Sequence, residues 1–212
     1  MSEQVETERR TWPDFAEIVR GRASVRHFDA RPVAPALVKQ ILEAGAWAPS
    51  PHGRQPWRFA IVTSRERKQQ LAEAMGEAWQ SQLALDGGPP DIIAARRDGS
   101  RRRVVEAPVI IIPCLYTEVL DHYPDAERQA AEELMAVQSL GAAAQNMLLM
   151  AYALGLDTGW MCAPLFCPEV VQQVLGLPTA ATPHAMLAIG YRARDPRRRP
   201  RLPLDDLVVL WD

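Results

Sequence analysis

Lysine is nearly missing from this chain of 212 residues: of 24 basic residues only Lys39 and Lys68 are lysine, and the other 22 are arginine. Arginine binds oxyanions two oxygens at a time through its planar fork, so the bias makes anion recognition easy to build, although genome composition could produce it too. Cysteine is equally sparse. Cys114, Cys162 and Cys167 are odd in number and lack the close paired spacing of a zinc site, and no apolar leader precedes Thr11. The expectation is a reducing, cytoplasmic setting with no structural disulfide and no metal. Excess charge of one sign is absent as well: 24 basic residues face 26 acidic ones for a formal net charge of -2, which gives no push toward nucleic acid or a membrane surface. The longest apolar runs, Val109 to Leu115 and Met147 to Tyr152, are too short to span a bilayer.

What remains is a chain with 48% hydrophobic residues, enough to bury one sizeable core. A single domain over residues 1–212 is expected, with residues 1–10 as a loose polar arm. Thr11-Trp12-Pro13-Asp14 reads as a helix start with Thr11 as N-cap, and the helix runs to about Gly21. Pro35 to about Trp47 carries Leu37, Val38, Ile41, Leu42 and Ala46 at helical spacing. Arg58 to Thr63 is a compact strand, and Arg65 to Leu85 a polar-faced helix broken at Asp86-Gly87-Gly88-Pro89-Pro90. A charged helix follows from Asp91 to Arg103. Its arginines lack interleaved aromatics and are flanked by acids, which reads as a solvated face rather than a nucleic-acid patch. Ala107 to Cys114 is almost unbroken β-branched sequence and should be a central strand buried on both faces. Asp125 to Leu154, closed by Gly155, is the longest helical pattern, with small residues that suit a core helix or a subunit interface. Pro168 to Leu175 is a helix ended by Gly176, and Ala185 to Tyr191 a further buried strand.

The most informative stretch is Arg22-Ala23-Ser24-Val25-Arg26-His27-Phe28. In an extended segment Arg22, Ser24 and Arg26 share one face while Val25 points into the core, which would offer two guanidinium forks and a hydroxyl to one phosphate. The alternation also fits a half-solvated edge strand. A second arginine cluster, Arg197 to Arg201, lies at the other end of the chain. Between them, Pro49-Ser50-Pro51 opens a rigid loop that runs through His52, Gly53 and Arg54 to Gln55-Pro56-Trp57. Asp157 to Pro164 follows a glycine-led turn and carries small residues at Cys162 and Ala163, where backbone could approach a flat ligand; a packed loop with an inert cysteine fits as well.

Taken in order, Arg-x-Ser-x-Arg-x-Phe, a helix, Ala-Pro-Ser, Gln-Pro-Trp-Arg-Phe and a strand resemble the nitroreductase family of flavin mononucleotide enzymes. That resemblance spans roughly Thr11 to the C-terminus. It implies an α/β (α+β) fold with a central mixed, mainly antiparallel sheet flanked by helices, and a long helix that serves core and dimer. It implies FMN as cofactor, NADH or NADPH as electron donor, a small organic acceptor such as a nitro compound or quinone, and a homodimer with flavin at the interface. The cofactor-binding residues it implies are Arg22, Ala23, Ser24, Val25, Arg26, Pro49, Ser50, Pro51, Arg103, Cys162, Ala163, Arg199 and Arg201. Among these, Arg103 matches a basic residue facing the ring, Cys162 and Ala163 pass over the flavin, and Arg199 and Arg201 close on the phosphate. Residues 86–103 match a variable lid. No catalytic side chain is implied, because the flavin carries the electrons.

The sequence departs from the family's better-known reductases at Gly53, where many carry Asn. The loop around it looks closer to the flavin domain attached to some deazaflavin-cofactor glutamate ligases, although no ligase portion is present. A non-catalytic FMN or deazaflavin module, or a stand-alone homologue of that reductase domain, is the alternative. An oxygen-dependent flavin-destroying synthase related to the family is a more distant one.

Overall fold

A computed structural model describes residues 14–85 and 89–212. The arm at 1–10, the cap at Thr11 with Pro13, and the breaker at 86–88 lie outside the described residues. Helix α1 spans Phe15–Gly21, α2 Pro35–Ala46, α3 Arg65–Leu85, α4 Pro90–Glu106, α5 Ala126–Ala153 and α6 Pro168–Leu175. Strand β1 spans Trp57–Val62, β2 Val109–Tyr116, β3 Asp157–Met161, β4 Ala181–Pro183 and β5 Met186–Gly190. The sheet runs β1-β2-β5-β3, with β4 also paired to β2. Every ladder is antiparallel, and a single parallel bridge joins Ser24 to Thr158.

The centre of the sheet is the β-branched run. β2 pairs with three strands and is buried from Val109 to Leu115, as expected of a strand covered on both faces. Alternation then sorts its side chains. Ile110, Ile112 and Cys114 meet Leu71 and Met75 of α3, Val104 of α4 and Val171 of α6 on one face. Val109 and Ile111 meet Ile41 of α2 and Met147 and Ala151 of α5 on the other. Burial pushes the Cys114 thiol up to about 12, so it behaves as a small hydrophobe.

Helix α5 owes its length to a good cap and an apolar stripe. Asp125 accepts a hydrogen bond from the Arg128 amide at 2.9 Å, and Ala143, Ala144, Met147, Leu148 and Ala151 recur at helical spacing against α2 and the sheet. Among the described residues α5 is the one helix long and apolar enough to cross a membrane; here its buried stripe is already occupied by protein.

The structure changes several expectations. Asp157 to Met161, expected to follow its glycine-led turn as a ligand-facing segment, is a full edge strand registered against β5. The central strand, expected to end at Cys114, runs on to Tyr116, and a 3₁₀ turn at Thr117–Val119 follows it. Helix α4 extends past Arg103 to Glu106, so Arg103 sits in its last turn.

Candidate functional site

The Arg22 to Phe28 segment is held from two sides. Val25 donates its amide to the Thr158 carbonyl at 2.7 Å, which lays the segment along the outer edge of β3. Asp29 donates to Tyr191 at 2.7 Å and Ala193 to His27 at 3.0 Å, which ties its far end to the chain leaving β5. Approach to β3 is so close that a Cβ at Gly159 would overlap the Val25 carbonyl oxygen, so only glycine fits there. The alternation is real: Val25 is 3% exposed while Ser24 and Arg26 face out.

Two cationic groupings grow from this segment. At its start, burial and then the neighbouring guanidiniums of Arg201 and Arg198 hold the half-buried Arg22 below its ordinary range. Arg198 donates to the Arg20 carbonyl at 2.7 Å and to the Gly21 carbonyl, satisfying the carboxyl end of α1 and bringing the tail alongside. Further along, Arg103 is lowered by burial and then by Arg26 and Arg102. Among the described residues no ion pair involves Arg22, Arg26, Arg103, Arg198 or Arg201. Like charges gathered without a carboxylate repel one another, and an anion placed among them relieves that cost.

Arg103 also lines a cavity of about 390 Å³ between α3, α4 and the turn after β3. Met75, Trp79, Met186 and Phe166 form apolar walls, and Cys162, Ala163 and Cys167 a narrow side. Gln82 donates to the Phe166 carbonyl at 2.9 Å and fastens α3 to that turn. Trp160 donates its indole N–H to the Cys162 sulfur at 3.2 Å. Residue types and shape suit a flat, partly apolar ligand whose one end carries negative charge.

The Pro49-Ser50-Pro51 loop stands apart. It feeds β1, while the Arg22 segment runs beside β3, so three strand spacings, about 14 Å, separate the sheet edges that carry them. The loop is built for rigidity. Arg54 pairs with Asp121 at 2.5 Å and donates to the Val119 carbonyl at 3.2 Å, and the Ser50 hydroxyl accepts from the Gln55 amide at 3.0 Å. His52, Gly53 and Gln55 all adopt left-handed backbone, with φ of 55°, 65° and 51°. Gly53 has nothing within 4 Å of where a Cβ would stand, so it meets a backbone requirement that asparagine also tolerates.

The structure thus brings Arg22, at the start of the segment that continues through Ala23, Ser24 and Val25, to Arg201; it brings Arg26 to Arg103, and Arg103 to one cavity with Cys162 and Ala163. Within one chain it does not bring Pro49, Ser50 and Pro51 to that place. Arg199 is exposed; the tail arginine bonded to α1 is its neighbour Arg198, which the sequence reading did not select. Nor did it select the α3 stripe of Ala72, Met75, Gly76 and Trp79, whose i, i+3, i+4, i+7 spacing was available in a helix read as polar. The arginine run of α4 is only partly a solvated face, since Arg96 and Arg103 line the cavity.

The nitroreductase family model matches residues 19–191. The chain belongs to the nitroreductase family. It is 31% identical to an NADH dehydrogenase of Thermus thermophilus over 90% of this chain and 92% of that one. A nitroreductase structure in complex with FMN, from Desulfovibrio desulfuricans, superposes with a TM-score of 0.73 at 27% identity over 95% of this chain and 99% of the other. A BluB-like flavoprotein from Clostridium difficile shares the fold, with a TM-score of 0.76 at 22% identity over 94% of this chain and 100% of the other.

Proposed function

We propose that this nitroreductase-family chain is an FMN-dependent oxidoreductase that passes electrons from NADH or NADPH to a small organic acceptor such as a nitro compound or quinone. The observation that carries the reading is the pair of arginine groupings that make no ion pair among the described residues, Arg22 with Arg201 and Arg26 with Arg103, the last of which lines a partly apolar cavity of about 390 Å³. The FMN in the Desulfovibrio complex and the dehydrogenase name of the Thermus relative support it.

FMN, when bound, supplies the two-electron chemistry between nicotinamide and acceptor. The chain supplies position and charge. Arg22, Ser24 and Arg201 would hold the phosphate, with Arg198 anchoring the tail and Arg199 available from solvent. Arg26 and Arg103 would offer positive charge to a bound ring, a role preorganised by the half-burial of Arg103. Cys162 and Ala163 would present the turn after β3 to the ring, and α4, one wall of the cavity, would act as the lid. Among the described residues that line the cavity none is a carboxylate or a histidine.

The working unit is a homodimer in which Pro49, Ser50 and Pro51 reach the flavin of the second copy. Leu134 of α5, Trp47 at the end of α2 and the tail residues Leu207, Val209, Leu210 and Trp211 are exposed by 59 to 100%, an apolar surface that supports such pairing.

The test is direct. Purified protein should be yellow or take up FMN, and anaerobic NADH or NADPH should bleach it, with colour restored by a quinone or nitroaromatic. A protein that gains no flavin absorbance contradicts the reading. One that binds FMN but is bleached by neither donor is a flavin-binding module instead.

A further inference from the structure

Helix α4 presents three polar side chains to the cavity from one face: Arg103, Ser100 three residues back and Arg96 seven back. Seven residues are two turns, so Arg96 stands about 10 Å along the axis from Arg103. Arg103 neighbours Arg26 and thereby marks the flavin end. Arg96 therefore marks the mouth, where Trp79 and Phe166 supply flat apolar walls. Its neighbour Arg97 is engaged, donating to Gln80 at 2.5 Å, whereas no ion pair among the described residues involves Arg96.

We propose that the mouth of this cavity recognises an acidic group on a planar acceptor, with Arg96 as the specificity residue and Ser100 as its hydrogen-bonding neighbour. The substrate class is then an aromatic nitro compound or quinone that bears a carboxylate, the ring lying between Trp79 and Phe166. A guanidinium fork matches a carboxylate in two parallel hydrogen bonds, while the ring meets an apolar wall that binds it without regard to charge. The proposal rests on the flavin reading above, which fixes the end of the cavity at which an acceptor must enter.

Calorimetric titration of the oxidised, FMN-loaded protein with 4-nitrobenzoate and with nitrobenzene at low salt tests it without turnover. The parent should prefer the benzoate about tenfold or more, the scale of one charge-assisted contact. Arg96→Gln should remove most of that preference, and Arg96→Lys should keep part of it, because charge survives but the fork does not. Arg101→Gln removes the same charge from the same helix outside the cavity lining and should leave the preference in place. An equal loss in Arg101→Gln assigns the effect to the helix's general field and overturns the proposal, as does a parent that binds both compounds alike. If Arg96→Gln instead weakens NADPH relative to NADH with the benzoate preference intact, the anion is the donor's phosphate and the proposal fails. A protein that takes up no FMN refutes the flavin reading itself, whereas an FMN-loaded protein without the preference refutes only the acidic acceptor.

Discussion

The arginines of this chain fall into two groups that differ in whether anything answers their charge. Arg54, Arg128 and Arg192 pair with Asp121, Asp125 and Asp157; Arg31 and Arg58 lie over the rings of Tyr191 and Tyr116 at 3.2 and 4.0 Å. These fasten loops and element ends. Arg22, Arg26, Arg103 and Arg201 make no ion pair among the described residues, and each lies near another arginine of the group, Arg22 near Arg201 and Arg26 near Arg103. A fold with 26 acidic residues could have supplied partners. The contrast is what our proposal builds on: guanidiniums held near one another repel, and a bound anion would relieve that cost.

The largest effect should come from attacking the backbone that gathers the second group. Gly159→Ala would drive a Cβ into the Val25 carbonyl, a contact that neither strand can relieve cheaply. Overpacking of this kind costs about 1 to 3 kcal/mol, so thermal unfolding should show a clear loss of stability and flavin titration a loss of FMN affinity together. Arg22→Ala should come next, weakening FMN about tenfold or more by equilibrium titration, since a charge-assisted hydrogen bond contributes about 1.5 to 3 kcal/mol. Melting of the FMN-free protein should be unchanged or slightly improved in that variant, since removing Arg22 relieves repulsion from Arg201 and Arg198.

A third prediction concerns pH. Desolvation holds the His184 pKa below its ordinary value of about 6.5. The unfolded chain then binds the proton more readily than the folded one, so stability is present above about pH 6.5 and is lost as pH falls below it. His184→Gln should flatten that acid-side decline in a series of melts. The smallest effect belongs to the first group: Arg128→Ala breaks a solvent-exposed pair with Asp125, and its effect on melting should stay within about 0.5 kcal/mol with FMN affinity untouched.

How much of this was legible in the sequence follows from the range of each interaction. Helices α2, α5 and α6 and strand β2 declare themselves through periodicity, capping and β-branched content, all of which act within a few residues. β3 does not. Its five residues, Asp157-Thr158-Gly159-Trp160-Met161, hold one β-branched side chain, and it is a strand because β5 and the Arg22 segment pair with it. The two ends of the site were readable as arginine clusters, but the choice of Arg198 over its neighbours depends on the carbonyls of Arg20 and Gly21, which no local pattern encodes. The cavity wall on α3 was missed for the opposite reason: Met75 and Trp79 are spaced correctly, yet they sit in a helix whose overall polarity hides a short apolar stripe.

The central claim, that the unanswered arginines await a phosphate, is tested most directly by comparing FMN with riboflavin, which differ in that group alone. With two or more charge-assisted contacts at the phosphate, the FMN-free protein should bind FMN at least about a hundredfold tighter than riboflavin, with the gap shrinking as salt is raised. Equal affinity for the two flavins would contradict the account.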